Sequence, residues 1–230
     1  MLRHCTALCL VLLCYGGLAQ TATALDMDIR TSPANRLDFA VWLSNNKTTL
    51  SDHTVSTRIK YQRIGVAAFD VPARGAQLGM QLGYASTSQD DVSAARGMDL
   101  NGYYLGLGLR VPLLEATRFK ARFEAGYIYQ DVKDSTESQK VSLDWHEYNA
   151  GLLASVPLQR VELQAGLFYQ RFDATQTASG TIQQTLFLKN EDTLQQRLGI
   201  NYRVAPDEHV GLHFHSGASQ GVQLEFQKLF

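Results

Sequence analysis

The sequence predicts an all-β fold, a transmembrane antiparallel up-and-down β-barrel of ten strands, with eight or twelve as the alternative counts. Three observations carry this. A secretory signal opens the chain. A series of segments alternating apolar and polar residues fills it. It closes on Val222-Gln223-Leu224-Glu225-Phe226-Gln227-Lys228-Leu229-Phe230, an alternating strand with a terminal Phe. Such alternation turns one side chain toward lipid and the next toward the lumen, which a membrane strand requires.

Residues 1–24 read as a cleavable signal peptide. Arg3 supplies the positive start, Cys5 to Leu18 the apolar stretch, and Ala22-Thr23-Ala24 the small-x-small cleavage site. Residues 25–35 form a polar periplasmic lead-in, and 36–230 the barrel. No later segment has the ~20 consecutive apolar residues of a spanning helix. All three cysteines fall within the signal, so the processed chain has no disulfide or thiolate chemistry. A net charge of -1 gives no basic footprint for nucleic acid.

The strands follow in order. The first, Arg36–Asn45, carries Leu37, Phe39, Val41 and Leu43 on one face. The second, Arg58–Phe69, changes phase: Ile59 and Tyr61 are apolar at odd positions, then Ile64, Val66 and Ala68 at even ones. A β-bulge near Gln62-Arg63 would reconcile them. The third, Ala76–Thr87, shows Leu78, Met80, Leu82 and Tyr84; the fourth, Met98–Val111, shows Tyr103, Leu105, Leu107 and Leu109. Thr117–Asp131 and Val141–Val156 follow, bearing Phe123, Tyr127 and Tyr129, and Tyr148, Leu152 and Val156. Arg160–Phe172 carries Leu163, Leu167 and Tyr169, and Thr193–Val204 carries Leu198, Ile200 and Tyr202. His209–His215 and Val222–Phe230 complete the ten. Several match the ~9–11 residues of a tilted membrane strand.

Four connections are short and contain proline: 71–74, 112–116, 157–159 and 205–208. Four others are long and polar: 45–57, 88–97, 132–140 and 173–192. Short periplasmic turns opposite long external loops are the barrel pattern. Within the longest loop, Thr185-Leu186-Phe187-Leu188 reads as strand continuation beyond the membrane. Outward Tyr84, Tyr103, Tyr127, Tyr129, Tyr148 and Tyr169 fall at external strand ends, and Tyr202 at a periplasmic end. Amphipathic rings favour the headgroup layers, so these form the aromatic girdles.

The opposite faces carry Asp38, Arg110, Lys120, Arg122, Glu124, Glu147, Glu162, Arg197, Arg203 and Glu225, with acids and bases nearly balanced. A plug of mutually paired side chains offsets the cost of burying charge. A selective pore favours one dominant sign, so a thin water-filled pathway is the alternative. Trp42, Trp145, Leu153 and Phe168 point inward by the same register and add apolar filling.

The signal, the alternating strands and the terminal Phe230, preceded by Val222, Leu224 and Phe226 at two-residue steps, resemble the class of small Gram-negative outer-membrane β-barrel proteins. That resemblance implies an outer-membrane location, a C-terminal signal read by the barrel-assembly machinery, and contact with outer-membrane lipid and lipopolysaccharide. It implies no activity. The expected role is structural or interactive, through external loops toward an unidentified partner. A narrow channel for small solutes is the alternative. A rim hydrolase is the third reading. For it, Asp144-Trp145-His146 is similar to the Asp-x-His couple of omptin-like proteases, and His213-Phe214-His215-Ser216 to the His-x-Ser element of lipid A deacylase-like barrels. By register Asp144 and His146 face outward, and His213 and His215 face opposite to Ser216. Two histidines alone are a weak metal set. No metal or cofactor is assigned.

Overall fold

The computed structural model describes residues 36–52, 55–72, 75–89 and 91–230. The expected signal peptide with its cysteines and the lead-in lie outside the described residues. Eleven antiparallel strands are present there: β1 (Arg36–Ser51), β2 (Ser56–Val71), β3 (Gln77–Gln89), β4 (Asp99–Ala116), β5 (Phe119–Ser135), β6 (Gln139–Leu158), β7 (Val161–Gly180), β8 (Gln184–Asn190), β9 (Leu194–Ala205), β10 (Glu208–Gly217) and β11 (Gln220–Leu229). Ten of them close a ring, β1 to β7 and then β9, β10 and β11, with β11 returning to β1. The closing ladder runs from Asp38↔Leu229 to Lys47↔Gln220. Leu37 and Phe230 exchange backbone hydrogen bonds of 3.2 and 2.8 Å at its end. Closure satisfies the ladder groups that an open sheet leaves exposed.

The eleventh strand, β8, stands outside this ring. It pairs with β7 from Asp173↔Lys189 to Ala178↔Gln184 and meets β1 at Leu50↔Asn190 and Ser51↔Lys189. The 20-residue β6 and β7 outrun the 10-residue β10 and β11. At the end opposite Arg36 and Phe230, called here the distal end, β8 therefore takes the place of β9, β10 and β11. The ring narrows there to β1 through β8.

The two parts are built inside out relative to each other. Along the ten-stranded ring, Leu43, Ile64, Leu82, Leu105, Leu152, Leu167 and Leu198 face outward and are exposed. Along the distal ring, Leu50, Ile59, Leu100, Val132, Leu143 and Phe172 face inward with no exposure, while Lys47, Arg58, Lys60 and Lys133 lie outside and exposed. Val92, Ala94, Ala95 and Met98, from the segment between β3 and β4, are buried in the same apolar cluster and cap it.

Two sequence expectations are corrected here, the bulge in β2 and the turn after β4. No β-bulge occurs at Gln62-Arg63: β2 keeps unbroken register with β1 and β3 through that point. The apolar phase flips because apolar side chains face inward in the distal ring and outward in the ten-stranded ring. The strand continuation read within the 173–192 connection is present: β7 runs on to Gly180 and β8 pairs with it. Leu186 and Leu188 are buried there while Phe187 stands outside. The turn placed at 112–116 is shorter, because β4 runs to Ala116 with a register shift between Pro112 and Leu114. Proline has no N–H to donate, and a bulge absorbs the missing bond.

Candidate functional site

The lumen of the ten-stranded ring holds the densest polar chemistry of the described residues. Two layers of ion pairs divide it. In the layer nearer Arg36 and Phe230, Arg110 Nη1 donates to Asp38 Oδ2 at 2.8 Å, and Gln227 Nε2 donates to the same oxygen at 2.7 Å. The Arg110 guanidinium lies 3.7 Å from the Phe69 ring centroid, a cation-π contact. Phe69 fits because the facing pair Gly79↔Gly108 has no side chains: a Cβ at Gly108 would lie 2.7 Å from Phe69 Cζ. Alongside, Glu124 accepts from Arg122 Nε at 2.6 Å and from Arg197 Nη2. Arg197 in turn sits 4.4 Å over Phe168.

The distal layer is drier. Arg63 Nη1 donates to Glu147 Oε2 at 2.7 Å and Arg63 Nε to Gln130 Oε1 at 2.8 Å. Glu147 Oε1 accepts from Gln170 Nε2 at 2.8 Å, and Gln170 Oε1 accepts from the Ser219 hydroxyl at 3.2 Å. Ser219 belongs to the β10–β11 turn, which folds inward, and its backbone N–H donates to Gln195 Oε1 at 2.8 Å. The rings of Tyr61, Tyr104 and Trp145 surround the Arg63 guanidinium at 4.9, 5.7 and 5.9 Å. Beyond them begins the apolar cluster, where Trp145 packs edge-on against Phe172 at 5.0 Å. Charge, aromatic face and apolar core thus succeed one another toward the distal end.

Between the layers remains a cavity of about 210 Å³, lined by Arg63, Glu147, Arg197, His215, Glu225 and Trp42 among others. A second, of about 150 Å³, lies against Lys120, Arg122, Glu115 and Glu162. Arg110 borders both.

Asp144 and His146 lie on the outer surface: Tyr129 Oη donates to Asp144 Oδ1 at 3.1 Å, and Tyr127 Oη meets His146 Nδ1 at 2.8 Å. Asp91, on the segment after β3, accepts from the Arg58 backbone N–H at 3.2 Å. His215 lines the larger cavity and His213 is buried beside Gly199 and Gly211, while Ser216 is exposed on the other face. Lys120 and Arg203 are exposed near the end that carries Arg36 and Phe230. Tyr84, Tyr103, Tyr148, Tyr169 and Tyr202 stand on the outer face and exposed. Among the described residues no three His, Cys, Asp or Glu side chains group as metal ligands. Lys228, the break in the terminal apolar series, pairs with Glu208 at 2.8 Å.

No protein-family model matches this chain, and no curated protein does. Solved structures resemble it in overall form. The outer membrane protease OmpT from Escherichia coli has a TM-score of 0.48 at 10% identity, over 88% of this chain and 97% of that one. An outer membrane channel from Pseudomonas putida F1 has 0.47 at 12%, over 90% and 100%. Ail, the attachment invasion locus protein of Yersinia pestis, has 0.41 at 9%, over 84% and 98%. The ring of strands is the deciding observation, and these likenesses only accompany it. The fold is that of a closed antiparallel β-barrel of ten strands with an apolar outer band.

Within this barrel, sequence reasoning missed Arg63, Gln130, Gln170 and Ser219 of the distal layer. The signal for Arg63 was its odd-numbered place in β2 with Gly65 and Ala67, a small-residue face that a charged side chain crosses only toward a lumen. The bulge expected next to it hid that register.

Proposed function

We propose that the protein is an integral outer-membrane barrel of a Gram-negative envelope, exported by a cleavable signal, whose closed lumen supports an interaction surface outside the cell. The end with Arg36 and Phe230 faces the periplasm and the distal ring projects outward. The inversion of polarity between the two rings supports this reading. Greasy side chains turned outward suit hydrocarbon, and greasy side chains turned inward with charges outside suit water. Phe230 with Phe226, Leu224 and Val222 serves the barrel-assembly machinery, and outer-leaflet lipopolysaccharide contacts the rim. The Arg63–Glu147 layer and the apolar cluster above it block conduction.

Single-channel recording in planar bilayers tests the closed lumen. The folded protein is expected to be silent. Discrete steps favour instead a narrow channel, for which the one supporting feature is Arg110 bordering both cavities. Shortening the β7–β8 hairpin is expected to remove partner binding while the ring still folds. Full retention excludes that hairpin as the contact.

A further inference from the structure

We propose that the larger lumen cavity, of about 210 Å³, binds a small guanidinium-bearing solute between the Trp42 ring and the Glu225 carboxylate. The interior of the barrel repeats one arrangement three times, an arginine lying over an aromatic ring and held by an acid. Arg110 sits 3.7 Å from the Phe69 centroid and pairs with Asp38. Arg197 sits 4.4 Å from the Phe168 centroid and pairs with Glu124. Arg63 sits 4.9 Å from the Tyr61 centroid and pairs with Glu147. The ring attracts the cation through its negative face, and the carboxylate supplies the counter-charge.

Trp42 and Glu225 supply the ring and the acid a fourth time. They oppose each other directly across the β1–β11 ladder, where cross-strand Cβ atoms stand about 4.5–5.5 Å apart. Both line the cavity. Among the described residues, no arginine or lysine lies over Trp42, and Glu225 forms no ion pair. The Glu225 carboxylate accepts one hydrogen bond, from Gln223 Nε2 to Oε2 at 2.9 Å. Arg110, Arg122 and Arg197 are held instead by Asp38 and Glu124. A half-buried carboxylate without a counter-ion is costly, and a cation beside it removes that cost. Tyr104 packs against Trp42 with centroids 5.4 Å apart and fixes the ring plane. The small side chains of Ala40 and Ala67, opposed across β1 and β2, leave room in front of it. A planar guanidinium matches both a ring face and a carboxylate fork, whereas an ammonium is a point charge. The volume is below the roughly 300–1,000 Å³ of pockets for drug-sized molecules, so the solute is small. The apolar cluster fills the distal end. Entry is therefore from the end with Arg36 and Phe230, past Arg110, which borders the second cavity as well. The lumen is thus a pocket with one mouth, and it stays closed to conduction.

The test uses the full chain folded in nonionic detergent, with folding checked by heat-modifiable gel migration. Salt of about 150 mM screens exposed charges, and a pH of about 8 leaves an ordinary histidine uncharged. n-Propylguanidinium and its neutral isostere n-propylurea are each titrated, and affinity and ligand proton shifts are read by NMR. The guanidinium is expected to saturate with upfield shifts from the Trp42 ring, and the urea to show neither. Glu225→Gln is expected to weaken guanidinium binding by about tenfold or more, the loss of a hydrogen bond to a charged group. Trp42→Leu is expected to weaken it by about threefold or more and to abolish the upfield shifts. Glu137→Gln, on the exposed β5–β6 turn, is expected to leave it unchanged. Should the lumen variants misfold, the guanidinium-against-urea comparison on the wild-type chain decides. Equal binding of the two ligands, no saturation by either, wild-type affinity in folded Glu225→Gln, or an equal loss in Glu137→Gln overturns the site. Each of these leaves the barrel and its silent lumen standing.

Discussion

Arg63 of β2 and Glu147 of β6 meet inside the barrel at 2.7 Å, with only 4% and 6% of their side chains exposed. Each also holds an amide, Gln130 or Gln170, so neither charge depends on one partner. A buried pair of this kind adds little net stability over an apolar isostere, yet breaking it is costly, because the survivor keeps its charge without its counter-ion.

Arg63→Met is accordingly expected to destabilise the barrel by about 3–5 kcal/mol, and Glu147→Leu likewise. The double variant is expected to cost less than either single change. Urea unfolding from lipid vesicles, followed by tryptophan fluorescence, measures all three. Additive losses would contradict the pairing.

A second joint lies where β8 leaves the ring. Asn190 Oδ1 accepts from the Phe172 backbone N–H at 2.9 Å, and its Nδ2 donates to the Gln170 carbonyl at 2.8 Å. Here β7 changes partner from β9 to β8, and the Asn190 amide fills the gap in the ladder. Asn190→Ala leaves these backbone groups unpaired and is expected to cost about 1–3 kcal/mol. The loss falls on the distal ring. Hydrogen exchange at Gln184–Lys189 is expected to accelerate while β9–β11 keep wild-type protection. Unchanged exchange in β8 rejects this role.

These two joints mark where sequence reading stops. Alternation located the ten ring strands and the facing of Trp42, Trp145 and Phe168, because a period of two is imposed by the backbone itself. It also kept Asp144 and His146 on the outer face. Alternation does not say what lies on either side of a strand. At Tyr61 to Ile64 both sides change at once, so an unbroken strand resembles a bulged one. Nor does it say which cation meets which acid. Arg63 and Glu147 are 84 positions apart, and barrel stagger sets their encounter.

The distal cluster makes a third prediction. Leu143 and Leu188 have no exposure, and Phe187, between buried neighbours on β8, is 63% exposed. Leu143→Ala and Leu188→Ala are each expected to cost about 2–5 kcal/mol through lost burial and the cavity left behind. Phe187→Ser is expected to stay within about 0.5 kcal/mol. Thermal unfolding in micelles separates the two outcomes. A large effect at Phe187 with none at Leu143 inverts the assigned facing of the distal ring.

The inversion itself is testable with one side chain at two heights. Leu107 faces outward in the apolar band at 59% exposure. Thr175 faces outward on the distal part of β7, opposite Phe187. In water, arginine is harmless at either place. In a bilayer, arginine near the midplane costs about 2–4 kcal/mol, and beyond the interface almost nothing. Leu107→Arg is therefore expected to lower stability in vesicles by that amount, and Thr175→Arg to leave it unchanged. Stability is read from urea titration of protein refolded into vesicles. Equal, small effects at both positions would mean that water bathes the leucine band, because no packing argument makes an outward side chain this exposed sensitive to charge. Only a hydrocarbon solvent separates the two heights.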